Sequence, residues 1–360
     1  MTSLFKAGAP YRVGLAFAGC VFAANPVLAD EGHINALDHA PIGVMGDHRH
    51  GKGEWMISYR YMHMDMGGTQ IGTTSVTPET VATTVPNRFF GNPGQPPTLR
   101  IVPTEMTMDM HMAGVMYGLS DQVTLMVMAN YISKKMDHIT FAGGMGTRRL
   151  NTFETSPMGF GDTKVAALIG LTDTVHINAG LSLPTGSNTE TDDIVTPMGG
   201  TPTVRLPYPM QLGSGTFDLE PGITYRDQND SFGWGAQIKG TVRLGDNDEG
   251  YAYGDRAMAT AWFAAALTPA AALSARVEAQ TLGSVDGIDP AIVGPVQTAN
   301  LDFHGGESVT GLLGVNFAAT GGALKGWRLG IEGGIPIVQD LNGPQMPTDY
   351  TLTVGVQKSF

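Results

Sequence analysis

Four of the nine histidines, His33, His39, His48 and His50, fall within about twenty residues, beside Asp38, Met45 and Asp47. Neutral imidazole is a common transition-metal ligand, and its binding depends on the ring giving up its proton. A second group of donors is softer. Fifteen of the twenty methionines lie between Met45 and Met158. Neutral thioethers select copper(I) or silver(I) over calcium and magnesium, which prefer carboxylate oxygens. The pattern therefore raises copper(I) binding by His33, His39, His48, His50, Met62, Met64, His111, Met126 and Met128. The competing expectation is packing, because methionine is an unbranched, adaptable filler of irregular surfaces.

His111 and Asp109 offer a base and a carboxylate. Nucleophilic catalysis would also need a Ser, Thr or Cys activated beside the base, and no such motif accompanies the pair. The only cysteine, Cys20, lies in the amino-terminal segment. No catalytic residue and no enzymatic activity is expected.

That segment, residues 1–29, carries Lys6 and Arg12, no acidic residue, an apolar run over 13–24, and Val27-Leu28-Ala29 before Asp30. It reads as a secretory signal peptide, too short in its apolar run to span a bilayer as a helix. Cys20, in Phe17-Ala18-Gly19-Cys20, is a lesser candidate for lipidation. Without Lys6 and Arg12 the chain keeps 19 basic and 33 acidic residues, a net charge of −14. An acidic exterior argues against nucleic acid. No later stretch is long and apolar enough for a membrane helix.

The elements that must position these donors show a period of two. At the carboxy terminus, Tyr350, Leu352, Val354, Val356, Lys358 and Phe360 alternate with Thr351, Thr353, Gly355, Gln357 and Ser359. One apolar face, one small polar face and aromatics at both ends suit a strand between lipid and a polar lumen. Tyr350 and the terminal Phe360 also match the carboxy-terminal signal read by the machinery that assembles outer-membrane barrels. Eleven further segments read as strands: from 54, and over 105–117, 123–131, 159–171, 175–183, 217–226, 234–243, 251–267, 273–280, 307–319 and 327–337, most with the same alternation, although the Ala-rich 251–267 does not show which face is which. Connections after odd segments are mostly long (67–104, 139–157, 188–214, 284–303), and those after even segments are short. Short periplasmic turns and long outer loops are the topology of a transmembrane barrel. The expected fold is all-β: a transmembrane antiparallel β-barrel of about twelve strands over 54–360, with a His-rich periplasmic arm or plug over 30–53.

Alternation also assigns faces. Trp55, Ile57, Tyr59 and Tyr61 are expected toward lipid, with Met56, Met62, Met64, Met126 and Met128 in the lumen. On 105–117 the methionines form the apolar set, so Met106, Met108, Met110, Met112 and Met116 are expected toward lipid and Asp109 and His111 inward. Inward charges of both signs would line the lumen: Arg60, Asp109, Asp162, Lys164, Asp218, Glu220, Arg226, Lys239, Arg243, Arg276, Glu278, Arg328 and Glu332. They suit a water-filled path and equally ion pairs that close a plugged, structural barrel. Twelve strands lie between the eight that enclose only side chains and the sixteen to eighteen of open porins.

Four short motifs extend the reading. Tyr117-Gly118-Leu119-Ser120-Asp121 occupies the first short turn, Gly159-Phe160-Gly161-Asp162 opens the fourth segment, Leu183-Pro184-Thr185-Gly186 closes the fifth, and Asp218-Leu219-Glu220-Pro221-Gly222 sits in the sixth. In order and spacing they resemble the outer-membrane proteins of the MetA-pathway of phenol degradation type, regarded as transporters. The resemblance implies a bacterial outer-membrane location, lipid as surroundings and passage of a small solute. It implies no catalytic residue.

Overall fold

The computed structural model describes residues 34–360. The signal peptide, Cys20 and His33 lie outside the described residues.

Twelve antiparallel strands close a barrel. They are β1 (Trp55–Gly67), β2 (Ile101–Ser120), β3 (Val123–Phe141), β4 (Thr163–Gly170), β5 (Val175–Leu183), β6 (Asp218–Gln228), β7 (Phe232–Arg243), β8 (Arg256–Thr268), β9 (Ala271–Leu282), β10 (Gly306–Ala318), β11 (Trp327–Gln345) and β12 (Thr348–Ser359). Each pairs with the next, and β12 closes on β1 with Tyr59 opposite Val356 and Tyr61 opposite Val354. Closure satisfies the backbone bonds and leaves no sheet edge in lipid. Phe360 and Trp55 exchange backbone hydrogen bonds of 2.8 and 2.9 Å at the seam. The fourth segment is broken: Met158–Phe160 pairs with β3, and the strand resumes at Thr163 after Gly161-Asp162. The eighth starts later than the expected 251, because Tyr251–Ala252 pairs with Asp286–Gly287 between loops.

The outer wall carries an apolar belt: Ile57, Val115, Leu125, Val127, Ile177, Leu219, Ile223, Ile238, Leu273, Val277 and Leu352 are all exposed. Trp55 stacks against Tyr117 with ring centres 4.5 Å apart near the short turns, and Tyr131 meets Phe160 at 5.4 Å further up. An apolar band between aromatic girdles is the surface of a barrel embedded in a membrane.

The face assignment for β2 is overturned. Met62 lies opposite Met110 and Met64 opposite Met108, while Tyr61 lies opposite His111 and His63 opposite Asp109. Directly opposed residues share a face. Met106, Met112 and Met116 are buried inside, so the β2 methionines line the lumen and Asp109 and His111 point outward. The physical reason is length. A tilted strand needs about 9–11 residues to cross a bilayer. β2 has 20 residues, so its upper half rises past the apolar band, where an outward face is free to be polar.

At the outer end the long loops fold over the mouth rather than away from it. Ile101, Tyr208, Tyr251, Val285, Ile292, Val296, Ala299 and Leu301 form one buried cluster there. A short helix, Pro78–Thr84, adds Val81 and Ala82 to a second cluster with Leu99, Val102, Ile139 and Phe141.

Candidate functional site: a plugged lumen beneath a methionine-lined wall

Residues 34–50 form no strand and lie inside the periplasmic half of the barrel. Ala36, Leu37, Ala40, Ile42, Val44 and Asp47 are buried there. An irregular segment in such a place needs partners for its backbone groups, and the wall supplies them from most of its circumference. Ala36 N–H donates to Pro269 O in the β8–β9 turn (2.8 Å). Arg226 on β6 donates to Leu37 O (2.7 Å), and Arg328 on β11 donates to Ala40 O. Gly43 N–H donates to Glu332 (2.8 Å). His176 and Asn178 on β5 hold Gly46 O at 2.9 and 3.0 Å. Arg49 donates to Asp121 O and Thr172 O in two short turns, at 2.8 and 2.9 Å. Ile42 occupies the gap left by Gly330 and Gly355 on β11 and β12, where a Cβ on Gly330 would fall 2.7 Å from the isoleucine Cβ. The segment is a plug.

Around it the inward charges form a paired network. Arg276 bonds Glu332 (2.7 Å) and Glu278 (2.7 Å), Lys164 pairs with Glu220, and Arg243 pairs with Asp218. Arg60 is buried on the same wall beside β12. Lys239 faces the lumen opposite Gly222. Asp162 is an anchor rather than a lining charge. Its carboxylate accepts from Gly186 N–H (3.0 Å), Ser214 N–H (2.8 Å) and Ser214 Oγ (2.7 Å), which ties two loop ends to the wall. Asp109 is the exception: on the outer face it accepts from Tyr61 Oη and bonds His63 Nδ1 (2.8 Å), while Tyr59 bonds His111 Nδ1 (2.7 Å).

Above the plug the inward wall of β1 and β2 is thioether, and β3 continues it with Met136 and Ile132 beside the polar Asn130 and Lys134. Met62, Met64 and Met66 face Met110, Met108 and Met106, and Met106 in turn faces Met136. Lower down, Met56, Met116 and Met126 pack with Leu168. Met128 is buried on the same inner face of β3. Met106 and Met136 also join Leu206 and Met210 from the 184–217 loop, so the methionine wall meets the loops that cover the mouth. Beside it, between that loop and β3 and β7, a cavity of about 260 Å³ is lined by Lys134, Asp162, Tyr208, Arg243 and Tyr253.

Of the nine donors grouped by sequence, the eight among the described residues are separated. His39, His48 and His50 are together in the plug; Met62, Met64, Met126 and Met128 are on the wall; His111 is outside the barrel and cannot share their site. The signal that would have placed Asp109 and His111 was their company: His63, Tyr59 and Tyr61 at matching positions on β1.

No family model and no curated protein matches the sequence. Among solved structures the chain is similar to an outer membrane channel from Pseudomonas putida F1, at 13% identity and a TM-score of 0.53, with 88% of this chain and 99% of that one covered. The toluene transporter TodX of P. putida aligns more loosely, at 9% identity and a TM-score of 0.41, over 86% of this chain and 91% of that one. At such identities the likeness is one of fold. Fold and lipid-facing belt together define a transmembrane β-barrel of the bacterial outer membrane, built on the same plan as a channel.

Proposed function

We propose that the barrel is a channel for small apolar or aromatic molecules. The observation that carries this reading is the methionine wall between the plug and the covered mouth. A pore for ions or sugars needs polar groups along its path, whereas thioethers are polarisable, conformationally adaptable and favourable against aromatic rings, by about 0.3–1.5 kcal/mol per contact. The four short motifs support kinship with the MetA-pathway type. Gly161 and Gly186 pack backbone to backbone, and Asp162 bonds Gly186, so two of the motifs meet at one point.

The experiment is uptake of a small aromatic fluorophore by cells with and without the barrel. Uptake should depend on the barrel and fall several-fold when Met62 and Met110 both become Glu, with the folded, heat-modifiable band on a gel retained. Equal uptake by parent and variant, or by cells lacking the protein, favours a structural barrel without transport. A second reading, copper(I) or silver(I) passage, draws on the opposed pairs Met62–Met110 and Met64–Met108. It requires copper(I) binding that falls when Met62 and Met64 become Leu, a swap that keeps the volume.

A further inference from the structure

The histidines of the plug make a site distinct from the methionine wall. One donor atom from each of His39, Asp47 and His48 lies within 4.8 Å of the others. The rings of His39 and His48 meet edge to face with centres 4.2 Å apart, and His50 follows at 4.8 Å from His48. Asp47, buried, accepts from Ala40 N–H (2.8 Å) with one oxygen and bonds His48 Nδ1 (2.9 Å) with the other. A carboxylate on one ring nitrogen fixes the tautomer and leaves the second nitrogen as a free donor, as in many metal centres.

Among the described residues the free nitrogens have no hydrogen-bond partner. His39 Nδ1, His48 Nε2 and His50 Nε2 are all buried without a hydrogen bond. His50 itself is only 5% exposed. Three orphaned imidazole nitrogens in one small segment are costly unless something accepts their lone pairs or supplies protons.

We propose that His39 and His48, with the His50 ring next to them, bind one borderline divalent transition ion, that Asp47 holds the His48 ring by its other nitrogen, and that the ion clips the plug into a closed loop. Imidazole nitrogens suit copper(II), nickel(II) or zinc, and the order of affinity within such a set peaks at copper(II). Calcium and magnesium would want more oxygens. Arg226 and Arg328, which stand near His39, oppose the added charge; Asp47 and the neighbouring Asp38 offset it. The proposal is independent of the transport reading, since it uses no residue of the methionine wall.

The test is titration of the folded, metal-stripped barrel in detergent with copper(II), and then zinc, by calorimetry and electron paramagnetic resonance. One ion per barrel is expected, with nitrogen hyperfine structure in the copper spectrum. The double variant H39A/H48A should weaken binding at least tenfold; H48Q alone serves if the double variant fails to show the heat-modifiable band. M62L/M64L and H111A should bind as the parent does. Absence of one-to-one binding in the parent overturns the proposal and leaves the nitrogens to buried water. So does binding that survives H48Q and H39A, or that disappears in M62L/M64L or in H111A.

Discussion

Arg100 shows how a single residue organises the outer mouth. It is fully buried, yet among the described residues its guanidinium meets no carboxylate. Instead it donates to five carbonyls: Ala142 (3.0 Å), Gly143 (3.0 Å), Met145 (3.3 Å), Gly146 (2.9 Å) and Ala82 (3.1 Å). It also lies over the Phe141 ring at 5.5 Å. The planar fork of five donors thus fastens the 142–146 turn to the short helix, a task one lysine ammonium with three donors cannot repeat. Arg100→Met would strand the buried carbonyls of Ala82 and Ala142 at about 1–3 kcal/mol each. The expected result is a faster tryptic cut at Arg148 or Arg149 while the barrel keeps its heat-modifiable gel mobility, with Arg100→Lys in between. Unchanged cleavage in Arg100→Met would show that the helix and turn hold themselves. Nothing in the local sequence marks Arg100 as buried. Its partners are backbone carbonyls from remote segments, and such pairings leave no residue-type signature.

Among the elements, strand existence was legible and loop fate was not. The alternation from Tyr350 to Phe360 survives in β12, whose Leu352 is exposed and whose Gln357 is buried. Faces were legible where strands stay within the bilayer, as on β1 from Trp55 to Tyr61. They were misread on β2, because the rule that apolar residues face lipid fails once a strand outgrows the membrane and the lumen is itself apolar. The inward folding of the loops carries no period and became visible only in packing. His304 belongs to one of those loops. Its Nε2 lies 3.1 Å from Thr298 O, its ring meets Tyr208 edge on, and burial lowers its pKa from 6.5 to about 4. The folded loop therefore holds the neutral ring. This stability is present above about pH 6.5 and is lost as pH falls toward 4, where the loosened loop takes up the proton first; it amounts to roughly 3 kcal/mol. Hydrogen exchange at 297–305 should accelerate between pH 7 and 4.5 beyond its intrinsic change. His304→Gln, which has no such proton, should remove the excess; an equal excess in that variant would place the sensitive group elsewhere.

At the scale of the whole molecule, plug and barrel divide the work of stability and closure. The barrel ladder closes through β12 and β1 without any residue of 34–50, so the strands do not need the plug to pair. The plug depends on the wall, whose arginines, glutamate and amides bond its backbone. Motif residues in the short turns belong to that grip: Asp121 accepts from Arg49 and from Lys52 N–H (3.0 Å), and Gly118 packs against the carbonyl of Gly51. What the four motifs preserve in this chain is therefore attachment, of plug to barrel and of loop to loop, rather than a chemical site. Deleting residues 34–50 should leave a folded barrel whose periplasmic half exposes Arg60, Arg226, Arg276 and Arg328 against Glu278 and Glu332. With Asp38 and Asp47 gone, that ring is net positive, and its field should favour anions. Planar-bilayer recording should then show larger and anion-selective steps where the parent conducts little. Equal conductance in parent and deletion would mean that the covered mouth, not the plug, closes the barrel, and cation selectivity would mean that the arginines are shielded by groups higher in the lumen.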